Sequence, residues 1–117
     1  SKPVTYLFNK KLPIYSVDTT EKEIALTFDI NWAENDYLED ILKILDKYDV
    51  KATFFIIGKW ITYNENNTKN FIAIKNAGHE IGNHSYVHPM FSKISNEQIE
   101  EELNKTEKIF NNRPTIF

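Results

Sequence analysis

The pattern of apolar and polar residues predicts alternating strands and helices along most of the chain. The run from Ile24 to Asp29 carries no charge before its final residue, so it predicts a strand buried on both faces. Beyond Asn35, apolar residues recur at three- and four-residue intervals, which predicts a helix with one apolar stripe. The apolar run ATFFIIG, closed by Gly58, predicts a second buried strand. This order is typical of two parallel strands joined by a crossover helix.

Further elements continue the alternation. Thr68 is predicted to cap a helix, and the segment HEIGNHS, residues 79–85, predicts a short third strand. Ser95 opens another helix with a capping-box signature. The tail RPTIF, residues 113–117, predicts the start of a fourth strand. The fold class is therefore α/β with parallel strands, and ligands are expected at the carboxyl ends of those strands.

The chain of 117 residues is sized for one domain with one core. Residues 1–20 hold two short β-rich pieces separated by polar residues, which predict an N-terminal β extension. Residues 21–117 then form the α/β domain, without an internal repeat or a low-complexity segment.

Composition and charge narrow the function classes. The hydrophobic fraction of 41% and the aromatic fraction of 14% indicate a folded globular protein. A net charge of -3 with a single arginine argues against nucleic-acid and polybasic membrane binding and favours neutral, carbohydrate-like partners. The absence of cysteine excludes disulfides, thiol nucleophiles and cysteine metal sites. No stretch approaches the roughly 20 apolar residues of a membrane span.

Asp29, His84 and His88 are the candidate catalytic and metal-binding residues. His84 and His88 lie four positions apart in HSYVH, a spacing that lets both imidazoles reach one cation from a single helical turn. Asp29 ends the first strand, and carboxylates gathered with imidazoles at one crevice are typical of hydrolytic sites. The alternatives are surface or capping histidines, and an aspartate that caps a helix or a turn.

Three other residues carry competing interpretations. His79 follows Gly78, a predicted helix end, so a loop histidine held by backbone hydrogen bonds is favoured over a metal ligand. Trp32 and Trp60 either stack on sugar rings or pack against the protein.

Three motifs give the chain a family resemblance. TFD at 27–29, KATFFIIG at 51–58 and GHEIGNHSYVHP at 78–89 resemble the polysaccharide deacetylases of carbohydrate esterase family 4, which share the NodB homology domain. The resemblance runs from about Ile14 to the C-terminus. On the stretch IYSVDTTEKEIALTFDINW, the chain is particularly similar to the PdaB-like sporulation branch of Bacillus and Clostridium.

The resemblance implies a partial, deformed (β/α) barrel of an enzyme that removes acetyl groups from N-acetylated amino sugars of peptidoglycan or chitin-like polymers. It implies that Asp29 is the general base and that His84 and His88 bind a divalent metal, usually zinc, cobalt or nickel. The metal would polarise the amide carbonyl and acidify a water, whose proton Asp29 would take. Such an enzyme is expected outside the cytoplasm, secreted or in the cell envelope, with a targeting segment that is not part of this chain.

The chain departs from the family pattern at two places. The family's third metal ligand is a second aspartate, and Ile30 fills that position here, so weak or absent metal is expected. PdaB-like relatives also commonly replace this aspartate. The third motif, an arginine, a proline and an aromatic residue, is expected just after Phe117. The chain is therefore interpreted as the front half or so of a deacetylase domain, inactive or feeble by itself.

Three hypotheses about function follow from these observations. The first is an N-deacetylase of cell-wall polysaccharide. The second is a catalytically degenerate domain that binds glycan or an envelope partner through the same groove, which Ile30 supports. The third is an unrelated α/β metal-binding protein. The open sheet edge of a partial barrel also favours self-association.

Overall fold

The computed structural model describes residues 2–3 and 12–112, and the predicted alternation of strands and helices is confirmed within them. The elements are β1 (Lys2–Pro3), β2 (Val17–Asp18), β3 (Thr27–Ile30), α1 (Leu38–Lys47), β4 (Thr53–Ile56), α2 (Gly58–Tyr63), α3 (Glu65–Asn76), β5 (Glu80–Asn83), a 3₁₀ turn (Phe91–Lys93) and α4 (Asn96–Asn111). β1 and β2 pair antiparallel in the region of the predicted N-terminal extension. The predicted fourth strand at 113–117 lies outside the described residues, as does most of the first β-rich piece.

A three-stranded parallel sheet in the order β3-β4-β5 forms the centre of the fold. The strands are in register, so Phe28, Phe54 and Ile81 form one row across the sheet. Side chains in such a row point to the same side, because successive residues of a strand alternate between the two faces. Within the described part of the chain, β3 and β5 are the two edges of this sheet.

One face of the sheet is covered by helices and contains the core. Phe54 and Ile56 are fully buried on this face, and Phe28 stacks on Phe54 with ring centroids 5.0 Å apart. The buried core residues are Leu38, Leu45, Ala52, Phe54, Ile56, Ile57, Trp60, Ile61, Phe71 and Ile74. They come mainly from α1, β4, α2 and α3, so these elements share one core. Full burial of each large aliphatic or aromatic side chain contributes about 1.5–3 kcal/mol.

The opposite face of the sheet is open, so the prediction of a first strand buried on both faces is wrong. Thr27 and Asp29 of β3 are exposed, whereas Phe28 and Ile30 are half-buried. Ile24, which was predicted to lie in this strand, precedes it and is 88% exposed. The physical reason is that the helices packed against the core cover one side of β3 only, which leaves Thr27 and Asp29 in solvent. Ile24 lies before the strand.

The segment after β4 also differs from the prediction. Gly58 is the first residue of α2 rather than only the end of a strand, and Asn64 rather than Thr68 caps α3. The Asn64 side chain accepts a hydrogen bond from the Asn67 N–H at 2.8 Å. Thr68 lies inside α3, where its hydroxyl donates to the Ile61 carbonyl at 2.7 Å. A threonine hydroxyl bonds backbone acceptors as well as donors, so its presence does not by itself define a helix start.

Helices α1 and α4 agree with their predictions. α1 buries Leu38 and Leu45 on one face. α4 begins with a complete capping box, in which the Ser95 side chain accepts from the Gln98 N–H at 3.2 Å and the Gln98 side chain accepts from the Ser95 N–H at 2.9 Å. Such an N-cap contributes about 1 kcal/mol. Among the described residues, none of the helices combines the length and the apolar character needed to cross a lipid bilayer.

His79 is a structural histidine, which confirms the prediction of a residue held by a backbone hydrogen bond. The side chain is buried, and its Nδ1 accepts a hydrogen bond from the Ala52 N–H at 3.1 Å. Its ring packs against Phe54 with centroids 5.1 Å apart. Burial, together with the charge of Lys51, holds the pKa of His79 below its ordinary value. The neutral imidazole thus links Ala52, the residue before β4, to His79, the residue before β5.

Phe55 and Gly82 are packed together on the open face of the sheet. They are in register on β4 and β5, and Phe55 is also in register with Asp29. A Cβ atom at Gly82 would overlap the Phe55 ring, so the absence of a side chain lets the ring lie against the β5 backbone. The ring of Phe55 therefore occupies the middle of the open face.

Lowering the pH should destabilise the fold through His79. Because the pKa of His79 is lower in the folded chain than in the unfolded chain, its stabilisation is fully present above the unfolded pKa and is lost as the pH falls through the folded pKa. We expect the free energy of unfolding, measured by chemical denaturation, to fall as the pH drops below about 6.5, the ordinary pKa of histidine. His79→Asn keeps an acceptor for the Ala52 N–H but does not titrate, and should flatten this slope. Equal slopes in variant and wild type would contradict the role of His79.

Gly82→Ala should lower the free energy of unfolding by about 1–3 kcal/mol, because the new methyl group overlaps the Phe55 ring and forces it out of place. Phe55→Leu in the same chain should recover part of this loss, since a smaller side chain leaves room for the methyl group. Denaturant titration of the two single variants and the double variant measures this coupling. Strictly additive losses would mean that the ring does not lie against Gly82.

Candidate active site

Asp29 lies on the open face of the sheet, near the carboxyl end of β3. It is exposed and in register with Phe55. Ile30, the last residue of the strand, lies on the opposite face of the sheet from Asp29. It is half-buried and packs against the core. The alternation of side chains therefore directs Asp29 towards the open face and Ile30 towards the helices. β5 is two strands away from Asp29, a separation of about 10 Å.

His84 and His88 lie in the loop that follows β5, and the structure brings their side chains together. Their ring centroids are 4.8 Å apart, with the ring planes inclined by 50°. The predicted proximity is thus present, but the two residues lie in a loop and not on a helical turn. An open depression of about 350 Å³ is lined by both histidines together with Phe91, Leu103 and neighbouring loop residues.

The loop has a sharply bent backbone that is stabilised from within. Ser85 and His88 are non-glycine residues with φ of 64° and 58°, in the left-handed region. The Asn83 side chain accepts a hydrogen bond from the Ser85 N–H at 2.9 Å, and the Ser85 hydroxyl oxygen accepts one from the His88 N–H at 3.0 Å. The His84 N–H donates to the Ile56 carbonyl at 3.2 Å, which continues the sheet pairing into the loop.

The start of α2 holds the loop from one side. The Gly58 N–H donates to the Ser85 carbonyl at 2.9 Å, and the Lys59 N–H donates to the Tyr86 carbonyl at 3.0 Å. Gly58 is needed for this approach, because a Cβ at this position would lie 2.6 Å from the Thr106 Oγ1 and 3.0 Å from the Tyr86 ring. Two backbone donors at the beginning of the helix are thereby used to fix the loop.

Helix α4 holds the loop from the other side. One carboxylate oxygen of Glu102 accepts hydrogen bonds from the Tyr86 N–H at 2.7 Å and the Val87 N–H at 2.9 Å. The Asn83 side chain donates to the Leu103 carbonyl at 3.0 Å. Together with the bonds described above, these contacts provide an acceptor for every backbone N–H from His84 to His88.

The imidazole nitrogens of His84 and His88 could supply part of the ligand set of a metal site. Among the described residues, no group of three or more histidine, cysteine, aspartate or glutamate side chains is arranged to hold an ion. Catalytic zinc sites use three protein ligands and a water, whereas His84 and His88 supply two. Ile30 stands where the family resemblance puts the third ligand, and its alkyl side chain supplies none.

The two tryptophans occupy different environments. Trp60 is 5% exposed and belongs to the core, so packing is the correct interpretation for it. Trp32, in the segment after β3, is 43% exposed and makes an edge contact with Tyr63, with ring centroids 5.7 Å apart. An aromatic pair is therefore accessible to solvent beyond the carboxyl end of the strand that carries Asp29.

Sequence reasoning identified the histidines but not the residues that shape their loop. Asn83 and Ser85 flank His84, and short polar side chains that bond nearby backbone are a signal of a bent loop. Glu102 has no such signal, because it is one of several glutamates on an amphipathic helix. Its role becomes visible only when α4 is packed against the loop.

Comparison with known proteins relates the chain to a family. The family model described as Polysaccharide deacetylase matches residues 16–115. The chain is 45% identical over 94 residues to the protein YlxY of Bacillus subtilis (strain 168), covering 80% of this chain and 28% of YlxY. It is 40% identical over 101 residues to a peptidoglycan-N-acetylglucosamine deacetylase of Bacillus cereus, covering 83% of this chain and 34% of that enzyme. The chain thus spans about a third of the length of these relatives.

Solved structures show the same relationship. A CE4 family pseudoenzyme from Bacillus anthracis aligns with a TM-score of 0.75 and 39% identity, over 87% of this chain and 35% of that chain. A mutant of that pseudoenzyme with restored enzymatic activity aligns with a TM-score of 0.76 and 40% identity, over 87% of this chain and 36% of that chain. The parallel sheet with its layer of helices is therefore part of a NodB-type barrel, as predicted. Sequence match and fold together show that the chain belongs to the polysaccharide deacetylase family.

Proposed function

We propose that the protein containing this chain removes acetyl groups from N-acetylated amino sugars of a cell-wall polysaccharide, with peptidoglycan as the first candidate. Membership of the family supports this activity, as does similarity to a relative named as a peptidoglycan deacetylase. The observation that carries the proposal is the pairing of His84 with His88 at the end of a sheet whose open face bears Asp29.

Asp29 is assigned the role of general base. Its carboxylate is exposed on the open face, where both a water and the acetamido group of a sugar can approach it. A general base must come within hydrogen-bonding distance of the proton that it takes, and the exposed carboxylate leaves room for such an approach. The neighbouring Phe55 ring and the exposed Trp32 offer apolar surfaces for a sugar ring.

His84 and His88 are assigned to hold a divalent metal, with zinc as the first candidate and cobalt or nickel as alternatives. Such an ion, when bound, polarises the amide carbonyl and acidifies a water. The protein contributes two imidazoles fixed at a centroid separation of 4.8 Å. Two nitrogen ligands in place of three protein ligands should give weaker binding than a complete site.

A cell-wall substrate determines where the protein would act. Peptidoglycan lies outside the cytoplasmic membrane, so the proposed location is extracytoplasmic, either secreted or in the cell envelope. The similarity to the PdaB-like branch makes action on the spore cell wall a specific form of the proposal, which stays a prediction.

Replacement of the general base should abolish hydrolysis. With the full-length protein and N-acetylglucosamine oligomers or peptidoglycan, acetate release should fall by about 100-fold or more in Asp29→Asn. The matched control is Asp49→Asn, the same chemical change at a residue with φ of 52°, a conformation that asparagine tolerates. Asp49 follows α1 at the amino-terminal side of β4, away from the candidate site. Equal acetate release by Asp29→Asn and wild type would remove Asp29 from the mechanism.

Glycan binding without catalysis is the second candidate function. It is favoured by Ile30, which packs against the core in the position of the third metal ligand, and by the similarity to a pseudoenzyme of the same family. Asp29 and Trp32 would then hold a sugar by hydrogen bonding and stacking. Binding of N-acetylglucosamine oligomers by the full-length protein without release of acetate would favour this function over hydrolysis.

Substitution of Ile30 tests whether the missing ligand limits metal binding. Ile30→Asp should strengthen zinc binding, measured by calorimetry, by roughly tenfold, or about 1.4 kcal/mol, because it adds a carboxylate at the position where the family resemblance puts the third ligand. Ile30→Asn is the matched control, since it has a similar shape and disturbs the same core contacts without adding a charge. Equal affinities in the two variants would mean that position 30 does not face the ion.

A further inference from the structure

Glu102 contacts the loop midway between the two histidines. A single oxygen, Oε2, accepts hydrogen bonds from the Tyr86 N–H at 2.7 Å and the Val87 N–H at 2.9 Å. The second bond fixes the peptide unit between Tyr86 and Val87, one residue before His88. Hydrogen bonds to an ionised acceptor are shorter and about twice as strong as neutral ones. Glu102 therefore restrains the central part of the loop.

The loop conformation needs such restraint. Ser85 and His88 both have positive φ, and neither is glycine. Residues in this region persist only when the surrounding contacts determine their conformation. Two of the five N–H groups from His84 to His88 are bonded by Glu102. The other three are bonded by the last residue of β5, by Ser85 of the loop and by the last residue of β4. Removal of the Glu102 carboxylate would free both central peptide units at once.

We propose that Glu102 is a positioning residue for the His84–His88 pair, acting through the loop backbone without touching the substrate or the metal. The inference rests on the proposed function in one respect, namely that the pair holds a divalent metal. In this role Glu102 keeps the two imidazoles 4.8 Å apart before any ion is present. Groups that orient metal ligands from behind commonly change metal affinity by about 10- to 100-fold when they are removed.

Glu101 provides a matched control on the same helix. It is exposed and forms an ion pair with Lys105 at 3.6 Å. Glu101→Ala and Glu102→Ala make the same change of charge and side-chain volume at adjacent positions. An effect that is specific to Glu102→Ala therefore reports the two hydrogen bonds to the loop and not the charge of α4.

The experiment measures zinc affinity by calorimetry in the full-length protein, for wild type, Glu102→Ala, Glu102→Gln and Glu101→Ala, under conditions in which each protein is folded. We expect a loss of about tenfold or more for Glu102→Ala, a smaller loss for Glu102→Gln, which keeps an acceptor oxygen, and no change for Glu101→Ala. If Glu102→Ala does not fold, the zinc affinity of Glu102→Gln tests the proposal instead. Wild-type affinity in every folded variant at position 102 would overturn the proposal.

A second readout does not depend on the metal. In the metal-free protein, NMR should show faster amide exchange at Tyr86 and Val87 in Glu102→Ala, and loss of the ring-to-ring contacts between His84 and His88. Retention of those ring contacts together with fast exchange would overturn the positioning role. If wild type binds no zinc, the metal assignment of the proposed function fails, and the ring contacts alone decide whether Glu102 positions the pair.

Discussion

The division of the parallel sheet into a covered face and an open face is the constraint on which the rest of the structure depends. Because the three strands are in register, one set of alternating residues enters the core and the other set faces outward. Phe54 and Ile56 take the covered positions, and Asp29 and Phe55 take the open ones. The adjacent residues Asp29 and Ile30 therefore meet different surroundings, although they occupy neighbouring positions of one motif.

The loop after β5, which carries His84 and His88, is a second constraint on the structure. Two non-glycine residues in the left-handed region cost about 1 kcal/mol each or more, and this cost is offset by hydrogen bonds from α2, α4 and the loop's own side chains. The short helix α2 is essential here, since the N–H groups at its start fix the loop carbonyls. Gly58, which was predicted to close a strand, thus begins a helix that supports the candidate site.

The sequence predicted those features that depend on local pattern. The α1 stripe, the capping box at Ser95 and the parallel pairing of two strands joined by a helix were predicted from apolar periodicity and capping chemistry, and all are present. The exposure of β3 could not be predicted, because an apolar run is compatible with burial on one face or on two. The cap at Asn64 was missed because Thr68 offered a competing signal. At the candidate site, the histidine pair was predicted from its spacing, whereas the contribution of Glu102 depends on a packing of α4 that no local pattern encodes.

Two separate parts of the structure would determine metal binding at the proposed site. They are position 30 at the end of β3 and the loop after β5 that carries His84 and His88. In the proposed metal site, the number of ligands would depend on position 30, at the end of β3, where the Ile30 side chain packs against the core. The placement of His84 and His88 depends on the loop after β5 and on α4. Among the described residues, none of the side-chain hydrogen bonds that shape this loop involves position 30. The loop can therefore hold His84 and His88 together whether or not a third ligand is present. Ile30 would therefore reduce the number of ligands at the proposed metal site without altering the loop that holds the histidine pair.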